Sequence, residues 1–281
     1  MHSRALMHVE RHAPDMPLPR IVPTRDGRED FRLDVAPGDV RTVRMTTFSH
    51  GRAQSAGPRT SAQSRALGVL LGRLQQALAD FTHPAAAHDT SWDMVGAPRL
   101  RPILGTRTDP AERARLARIL DTFEERMLPR LAELPFQVVH NDLNGDNVLV
   151  EPDAPDRIAG IIDFGDMVRT ARLFDVAIGA AYQLGAEEDL LAPACAFLAG
   201  HASVATLSET EIALLPLAVE TRMAMRVLIP GWRAARFPER RAYIIRNSLS
   251  VWRQFAALDA IGPERFAAIL AAACTGRENA P

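Results

Sequence analysis

Four polar side chains in the segment VVHNDLNGDNVLVEPDAPDRIAGIIDFGD, residues 138–166, have types and spacing that suit cation binding. His140, Asp142 and Asn147 lie on one short polar segment, and Asp163 follows an apolar run. Carboxylate and amide oxygens are the ligands that Mg²⁺ prefers in proteins. A single carboxylate-rich segment is more often a solvated turn. Two of them among strand-forming residues favour a metal site held by Asn147 and Asp163.

The spacing of these residues matches two motifs of the kinase fold. His140, Asp142 and Asn147 fit H-x-D-x-x-x-x-N, and Asp163 opens a D-F-G sequence sixteen residues after Asn147. Phosphoryl transfer requires cations on the phosphates and a carboxylate that orients the attacking hydroxyl and accepts its proton. We therefore interpret Asp142 as the catalytic base and Asn147 and Asp163 as catalytic ligands of Mg²⁺. His140 is interpreted as a structural support of the loop.

Strands on both sides of the polar segment are expected to position these side chains. β-branched residues predict short strands at 138–139, 148–150 and 158–162, and the Pro- and Asp-rich turn EPDAPD joins the last two. The resulting hairpin would begin one arm beside Asn147 and end the other beside Asp163. Both side chains are therefore predicted to converge on one point.

The rest of the chain is predicted to form a small β-rich N-terminal part followed by a mostly helical part. The turn signal Asp26–Gly27 between two β-prone runs predicts a hairpin, and residues 40–47 alternate as a further strand. One helix is expected after the cap Thr60, and a second over about residues 109–134, where Glu112 would complete a capping box. Further helical patterns cover residues 174–184, 186–201, 208–229, 238–258 and 263–274.

Composition argues against several classes of function. The 281 residues carry a formal net charge of −1, which gives no bulk attraction to nucleic acid or to a membrane surface. No apolar run approaches the roughly 20 residues that span a bilayer, and no apolar signal region opens the chain, so a cytoplasmic protein is expected. Cys195 and Cys274 lack metal-site spacing and are predicted to be buried free thiols. The oligomeric state is left open.

The loop HNDLNGDNVLV and the run GIIDFGDMVRTARLFDVAIGAAY resemble the aminoglycoside phosphotransferase/choline kinase superfamily, most closely its hydroxylysine kinase branch. The resemblance implies an α+β, protein-kinase-like fold. Residues 1–47 would form a truncated, β-rich N-lobe, and residues 48–281 a mostly helical C-lobe whose β-hairpin carries the catalytic loop. Protein kinases usually have a Lys two residues after the catalytic Asp. This chain has Asn144 there, as expected for small-molecule kinases of the superfamily.

The same resemblance implies further site residues and ligands. The stretch VRMTTFSHGRA is similar to the strand and hinge that carry adenine, so Thr46, Thr47 and Phe48 are expected to hold the nucleotide base. Asp175 matches the Asp that ties down the catalytic loop, a role compatible with a plain helix N-cap. The implied ligands are Mg²⁺, with ATP or GTP as phosphoryl donor. The implied acceptor is a small amino alcohol, 5-hydroxylysine first, with aminoglycosides, homoserine and choline as alternatives.

The front of the chain departs from the superfamily pattern. A complete member begins with a phosphate-binding loop, a strand bearing a Lys, and a helix whose Glu pairs with that Lys. No lysine here matches that role, and residues 1–16 are interpreted as the tail of that helix. The sequence therefore suggests a truncated reading frame or a degenerate enzyme. An unpaired sheet edge would favour self-association. A catalytically silent nucleotide-binding remnant is the competing hypothesis.

Several residues are candidates for the acceptor side. Amine-bearing acceptors suit acidic side chains, although most surface carboxylates bind nothing. Tryptophans could line the pocket or belong to the core. Two arginines one helical turn apart could bind a substrate carboxylate or form a solvated helix face. These candidates are Glu187, Glu188, Glu220, Asp93, Trp92, Trp232, Arg222 and Arg226.

Overall fold

A helix and five short strands form the N-terminal part of the protein. The computed structural model describes residues 1–186 and 189–276, except for the side chain of Asn247. Helix α1 packs Ala5, Leu6 and Val9 into the core of the protein. Strands β1 and β4 pair with each other, and strands β2 and β3 form a separate antiparallel hairpin. The elements are α1 (His2–His12), β1 (Ile21–Val22), β2 (Phe31–Ala36), β3 (Asp39–Val43), β4 (Met45–Thr46) and β5 (Arg52–Ala53).

The hairpin predicted around Asp26–Gly27 is wrong in its position. Gly27 does occupy a turn, with φ of 82°, but the strands on its two sides pair with different partners. The hairpin closes instead around Gly38, with φ of 80°, so that only two residues separate β2 from β3. Such a short connection fixes the register of its two strands directly. The strand predicted over residues 40–47 is split between β3 and β4.

Two helices with predicted caps follow the front. Helix α2 (Ser61–Ala77) begins where expected, because the Thr60 side chain accepts a hydrogen bond from the Gln63 N–H. Helix α3 (Pro110–Thr122) is capped by Asp109 and continues through a π-turn and a 3₁₀ segment to Glu133. The predicted capping box is incomplete, because the Glu112 carboxylate bonds the guanidinium of Arg107 instead.

Four strands in the middle of the chain carry the polar loop. They are β6 (Phe136–Val139), β7 (Val148–Glu151), β8 (Ala154–Ile161) and β9 (Val168–Ala171). Strand β7 lies between β5 and β8, and β6 pairs with β9. The predicted hairpin of β7 and β8 is confirmed by the pairing of Val148 with Ile161. Strand β9 was not predicted, because the run MVRTA lies directly against a helix start and carries no turn signal after it.

The remaining helices build most of the core. The prediction for residues 174–184 is confirmed by α4, the helix predicted from residue 186 begins only at Ala192, and the pattern over 238–258 is broken into shorter pieces. These elements are α4 (Arg172–Gln183), α5 (Ala192–Ala202), α6 (Glu209–Arg236), α7 (Arg241–Ile245), α8 (Val251–Ile261) and α9 (Pro263–Thr275).

Helix α6 contains two prolines, Pro216 and Pro230. A proline has no N–H and cannot bond the carbonyl four residues before it. The carbonyl that Pro230 leaves without its helical donor belongs to Arg226, and the hydroxyl of Ser248 donates to it. The proline thereby creates an attachment point for the segment after α7.

The backbones of α2 and α5 approach closely at two glycines. A Cβ atom at Gly68 would overlap the carbonyl oxygen of Phe197, and one at Gly200 would overlap that of Arg65. Overpacking of this kind costs about 1–3 kcal/mol, and alanine regains only about 1 kcal/mol as a better helix former.

We expect Gly68→Ala to lower the free energy of unfolding measured by chemical denaturation. The matched control is Gly231→Ala, where the nearest atom to the new Cβ is an Arg107 nitrogen 3.7 Å away. That change is expected to be neutral or stabilising. Equal effects of the two substitutions would contradict a close contact between α2 and α5.

Two further predictions concern the burial of the two cysteines and the absence of membrane-spanning helices. Cys195 and Cys274 are free, but each is half-buried and not fully buried as predicted. Burial nevertheless raises the pKa of the Cys195 thiol to about 11 and that of Cys274 to about 12. Among residues 1–186 and 189–276, every helix is too short or too polar to cross a membrane.

Candidate active site

One buried carboxylate anchors the loop between β6 and β7. Asp175 lies in the first turn of α4 with 1% of its surface exposed. Its two carboxylate oxygens accept hydrogen bonds from the backbone N–H of His140, at 3.2 Å, and of Asn141, at 2.8 Å. Burial raises the pKa of Asp175, and these N–H donors oppose that rise. Asn141 has φ of 66°, a left-handed conformation that Asn tolerates well.

The His140 side chain connects the loop to the end of β8. Its Nδ1 accepts the backbone N–H of Asp142 at 3.2 Å, and its Nε2 donates to the carbonyl of Ile162 at 3.0 Å. The imidazole is therefore in the neutral tautomer with the proton on Nε2. The ring also packs edge-on against Phe164, with 4.7 Å between ring centroids.

The Asp142 carboxylate is held from three directions. One oxygen, Oδ2, accepts from the side-chain amides of Asn144 and Asn147, each at 2.8 Å. The other oxygen, Oδ1, accepts from Nη2 of Arg222 at 3.2 Å. The Asn147 amide also donates to the backbone carbonyl of Asp142 at 2.9 Å. These contacts fix the orientation of the carboxylate that the sequence identified as the candidate base.

Arg222 is buried deeply for a charged residue, with 1% of its surface exposed. Its guanidinium lies over the rings of Trp92, at 4.7 Å, and Tyr182, at 5.6 Å. Its Nε and Nη1 are buried without a hydrogen-bond partner among the described residues. Arg226, one turn later, is 5% exposed and donates to the carbonyl of Ala181. The interpretation of this arginine pair as a solvated helix face is therefore wrong.

Asn147 and Asp163 lie beside each other at the open end of the β7–β8 hairpin. The Asn147 carbonyl accepts the N–H of Ile162 at 2.9 Å, and Asp163 is the next residue. Asp163 has φ of 59° and ψ of 71°, and its Oδ1 accepts the N–H of Gly165 at 3.2 Å. Because the Asn147 amide nitrogen is directed at Asp142, its amide oxygen is the atom that remains for a cation.

The predicted base-binding residues line a groove of about 630 Å³ whose lining also includes Asp163. The N–H of Thr47 donates to the carbonyl of Arg20, the residue before β1, at 2.8 Å. In antiparallel pairing neighbouring residues direct their backbone groups to opposite edges, so the N–H and C=O of Thr46 point away from β1. Phe48 is 80% exposed. The groove is lined by Leu6, Pro19, Arg41, Thr42, Val43, Arg44, Thr46, Thr47, Phe48, Ser49, Ile162, Asp163 and Phe164.

A second cavity, of about 380 Å³, contains both Asp142 and Asp163. Asp163 therefore borders both spaces. The lining of this second cavity contains both carboxylates and guanidinium groups. It is lined by Trp92, Asp142, Asn144, Asp163, Asp166, Tyr182, Arg226, Pro230, Arg233, Tyr243, Ile244, Arg246 and Ser248.

Charges in the second cavity perturb one another. Burial raises the pKa of Asp166, and the nearby Asp142 carboxylate raises it further. Burial lowers the pKa of Arg226 to about 10. Arg246 pairs with Asp146 at 3.2 Å on the rim. The cavity is thus suited to a small ligand that bears both a cationic and an anionic group.

The structure separates the other acceptor-side candidates. Trp92 lines the second cavity, whereas Trp232 lies under the guanidinium of Arg236. Asp93 caps a 3₁₀ segment and accepts a hydrogen bond from the Thr170 hydroxyl. It is not among the residues that line the second cavity. Glu220 borders a different cavity near Arg115. Glu187 and Glu188 lie outside the described residues.

Sequence reasoning missed Asp166 and the contacts that two other members of this site, Asn144 and Arg222, make with Asp142. Asp166 carried a signal, because it lies three residues after Asp163 in IIDFGD. Asn144 was noted only as the residue that replaces a lysine. The contact of Arg222 with Asp142 joins residues 80 positions apart, and no local sequence pattern predicts it.

Comparisons with known proteins identify the family of this chain. The model of the phosphotransferase enzyme family, APH, matches residues 3–209. Hydroxylysine kinase of Mus musculus is 26% identical over 230 residues, which are 78% of this chain and 61% of that protein. Homoserine kinase of Bradyrhizobium diazoefficiens is 33% identical over 221 residues, 76% of this chain and 62% of that protein. The chain thus spans about three fifths of the length of these relatives.

A solved structure of a microcompartment-associated aminopropanol kinase has a TM-score of 0.63 and 23% identity, covering 96% of this chain and 78% of that one. At this identity the likeness concerns the fold, and it confirms the predicted α+β, protein-kinase-like architecture. The loop motifs, the hairpin that joins them and the match over residues 3–209 lead to one conclusion. The chain belongs to the phosphotransferase enzyme family.

Proposed function

We propose that this protein transfers the γ-phosphoryl group of ATP or GTP to a hydroxyl of a small amino alcohol, with 5-hydroxylysine as the preferred acceptor. One observation carries the proposal: Asp163 borders both the groove that contains Thr46 to Phe48 and the cavity that contains Asp142. A nucleotide in the groove would direct its phosphates toward Asp163. An acceptor in the cavity would meet Asp142 on the other side.

Within this proposal, Asp142 receives the proton of the acceptor hydroxyl. Its three hydrogen-bonding neighbours, Asn144, Asn147 and Arg222, keep the carboxylate in one orientation. Positioning of this kind is where most of the catalysis lies in phosphoryl transfer. The buried Arg222 also places a positive charge against the Asp142 carboxylate.

The donor set of Asn147 and Asp163 fits Mg²⁺. It offers an amide oxygen and a carboxylate, hard ligands on adjacent backbone positions, and the Asn147 nitrogen is already engaged with Asp142. When bound, Mg²⁺ would neutralise the negative charge of the phosphates. The left-handed backbone at Asp163 directs its side chain from the end of the strand into both spaces.

The charges of the second cavity support an acceptor with an amine and a carboxylate. Asp142, Asp163 and Asp166 would attract the amine, and Arg226 and Arg233 would attract the carboxylate. 5-Hydroxylysine and homoserine have both groups, whereas choline and most aminoglycosides have no carboxylate. The names of the two curated relatives, a hydroxylysine kinase and a homoserine kinase, agree with this order of acceptors.

A coupled assay of nucleoside diphosphate release tests the proposal. The protein is supplied with Mg-ATP or Mg-GTP and, in turn, 5-hydroxylysine, homoserine, 1-amino-2-propanol, choline and kanamycin. The highest kcat/KM is expected for 5-hydroxylysine, and its N-acetylated methyl ester is expected to be a poor acceptor. Turnover that is fastest with kanamycin would overturn the assignment of the acceptor.

Nucleotide binding without catalysis is the second candidate function. It is favoured by one observation, the complete absence of lysine from the sequence, so that no residue matches the lysine that holds the α and β phosphates in kinases. The two candidates differ in the same assay. Nucleotide binding without turnover of any acceptor would favour the silent protein.

Replacement of Arg222 by Met is expected to lower kcat by about 10–100-fold and to change the KM of the acceptor little, since hydrogen bonds to charged groups contribute about 1.5–3 kcal/mol. Arg222→Lys keeps the charge without the planar group and should recover part of the rate. The control is Arg236→Met on the same helix, where the guanidinium lies over Trp232. A normal kcat for Arg222→Met would show that the contact with Asp142 does not support catalysis.

A further inference from the structure

Two histidines and an aspartate form a compact cluster between α1 and the end of α2. His8 and His12 are one helical turn apart, and Asp80 follows the end of α2. One ligand atom from each of the three side chains lies within 4.8 Å of the others. The Nε2 atom of His8 is already 2.9 Å from the Asp80 carboxylate. In a tetrahedral site with bonds of about 2.05 Å, ligand atoms are about 3.3 Å apart, so small side-chain movements would suffice.

The histidine orientations are those of metal ligands. The Nδ1 atom of His12 lies 2.8 Å from the backbone carbonyl of His8 and must donate to it, because a carbonyl only accepts. In the neutral ring this leaves the lone pair on Nε2. Metal-binding histidines typically use their second nitrogen in this way, which fixes both tautomer and ring direction. The two imidazole rings stack with 4.2 Å between centroids, so the two side chains lie close together.

The carboxylate of the cluster is open to solvent. The Asp80 side chain is 75% exposed, and one of its oxygens lies 2.9 Å from Nε2 of His8. His8 itself is mostly covered, since it packs against the Phe81 ring at 5.2 Å between centroids, which limits its freedom to turn away. A plain ion pair of His8 with Asp80 would account for two of the three residues. It would not include His12, which offers a ligand atom within 4.8 Å of those of His8 and Asp80.

We propose that His8, His12 and Asp80 form a binding site for a borderline divalent metal ion such as Zn²⁺, distinct from the Mg²⁺ ligands Asn147 and Asp163. Imidazole nitrogen suits Zn²⁺ and its neighbours in the transition series, whereas Mg²⁺ requires oxygen ligands. Binding releases the proton that His8 shares with Asp80 or moves it to Nδ1 of the ring. Water completes the coordination on the exposed side.

Such an ion would tie α1 to the end of α2. The same helix α1 contributes Leu6 to the wall of the groove that contains Thr46 to Phe48. The ion would therefore hold one wall of that groove in place while remaining outside it. The inference rests on the cluster alone and does not depend on the proposed kinase activity.

Isothermal titration of the tag-free protein with Zn²⁺, in saturating Mg²⁺ that occupies the hard-ligand site, tests the proposal. One Zn²⁺ per chain is expected. His12→Ala and Asp80→Asn are each expected to weaken binding by at least about tenfold. The control His88→Ala changes another exposed histidine, outside the cluster, and should bind as the wild type does. Asp163→Asn is also expected to leave Zn²⁺ binding unchanged.

Co²⁺ substitution supplies a readout that folding alone does not change. Its visible absorption spectrum is expected to show nitrogen coordination in the wild type and to lose it in the variant with both His8→Ala and His12→Ala. Thermal unfolding without metal identifies any variant that has lost its fold. Absence of stoichiometric Zn²⁺ binding to the wild type, or undiminished binding to the folded double variant, would overturn the proposal.

Discussion

Asp142→Asn is expected to reduce phosphoryl transfer to the acceptor by about 10²–10⁴-fold, the usual contribution of a general base, and to change nucleotide affinity by less than about threefold. The side chain lies in the second cavity and is not among the residues that line the groove proposed for the nucleotide. Its loss should therefore act on the acceptor step. Single-turnover transfer and nucleotide titration, measured on the same preparation, separate the two effects.

The choice of Asn over Ala at this position follows from the contacts of Asp142. Ala would remove the acceptor of the Asn144 and Asn147 amides together, whereas Asn keeps one acceptor oxygen of similar position. Asn147 also retains its bond to the backbone carbonyl of residue 142. Equal losses of transfer and of nucleotide affinity in Asp142→Asn would mean that the residue belongs to the nucleotide site, contrary to its proposed role.

The second large effect is expected at Asp163. Asp163→Asn should abolish detectable transfer and weaken nucleotide binding in the presence of Mg²⁺ by at least about tenfold, because it removes a charged metal ligand. Without Mg²⁺, the wild type and the variant should bind nucleotide equally. A titration with and without the ion is therefore more informative than activity alone.

Backbone conformation decides which substitution is suitable here as well. Asp163 has φ of 59°, a region that Asn and Asp enter readily and that Ala enters at a cost of about 1–2 kcal/mol. Asp163→Ala would mix this strain with the loss of the ligand, whereas Asp163→Asn isolates the ligand. The proposed role of Asp163 would be wrong if the Mg²⁺ dependence of nucleotide binding were the same in Asp163→Asn as in the wild type.

Local sequence patterns predicted the hairpin and the loop well. Strand, turn and strand follow one another over residues 148–161, and antiparallel pairing across a short turn leaves little choice of register. Helix α2 was equally predictable, because a side-chain cap and a 3.6-residue apolar period agree. In each case the stabilising contacts join residues that are near in sequence.

The parts that sequence reasoning missed depend on distant contacts. Strand β1 pairs with β4, and Ile21 lies opposite Thr46. No turn signal in the sequence predicts this pairing, so the turn at Gly27 was assigned to the wrong pair of strands. The second cavity gathers side chains from six separate stretches between Trp92 and Ser248. Arg222 was interpreted, with Arg226, as a carboxylate-binding pair or as part of a solvated helix face, yet its partner is Asp142, 80 positions earlier in the chain.

The proline at position 230 has a consequence for the entrance of the second cavity, which we propose for the acceptor. By removing one N–H from α6, it makes the Arg226 carbonyl available to the Ser248 hydroxyl and so fastens the rim segment that also carries Arg246. Pro230→Ala would restore the helical ladder and release that rim. One substitution in α6 would thereby change how rigidly the entrance of that cavity is held, without changing a charged residue.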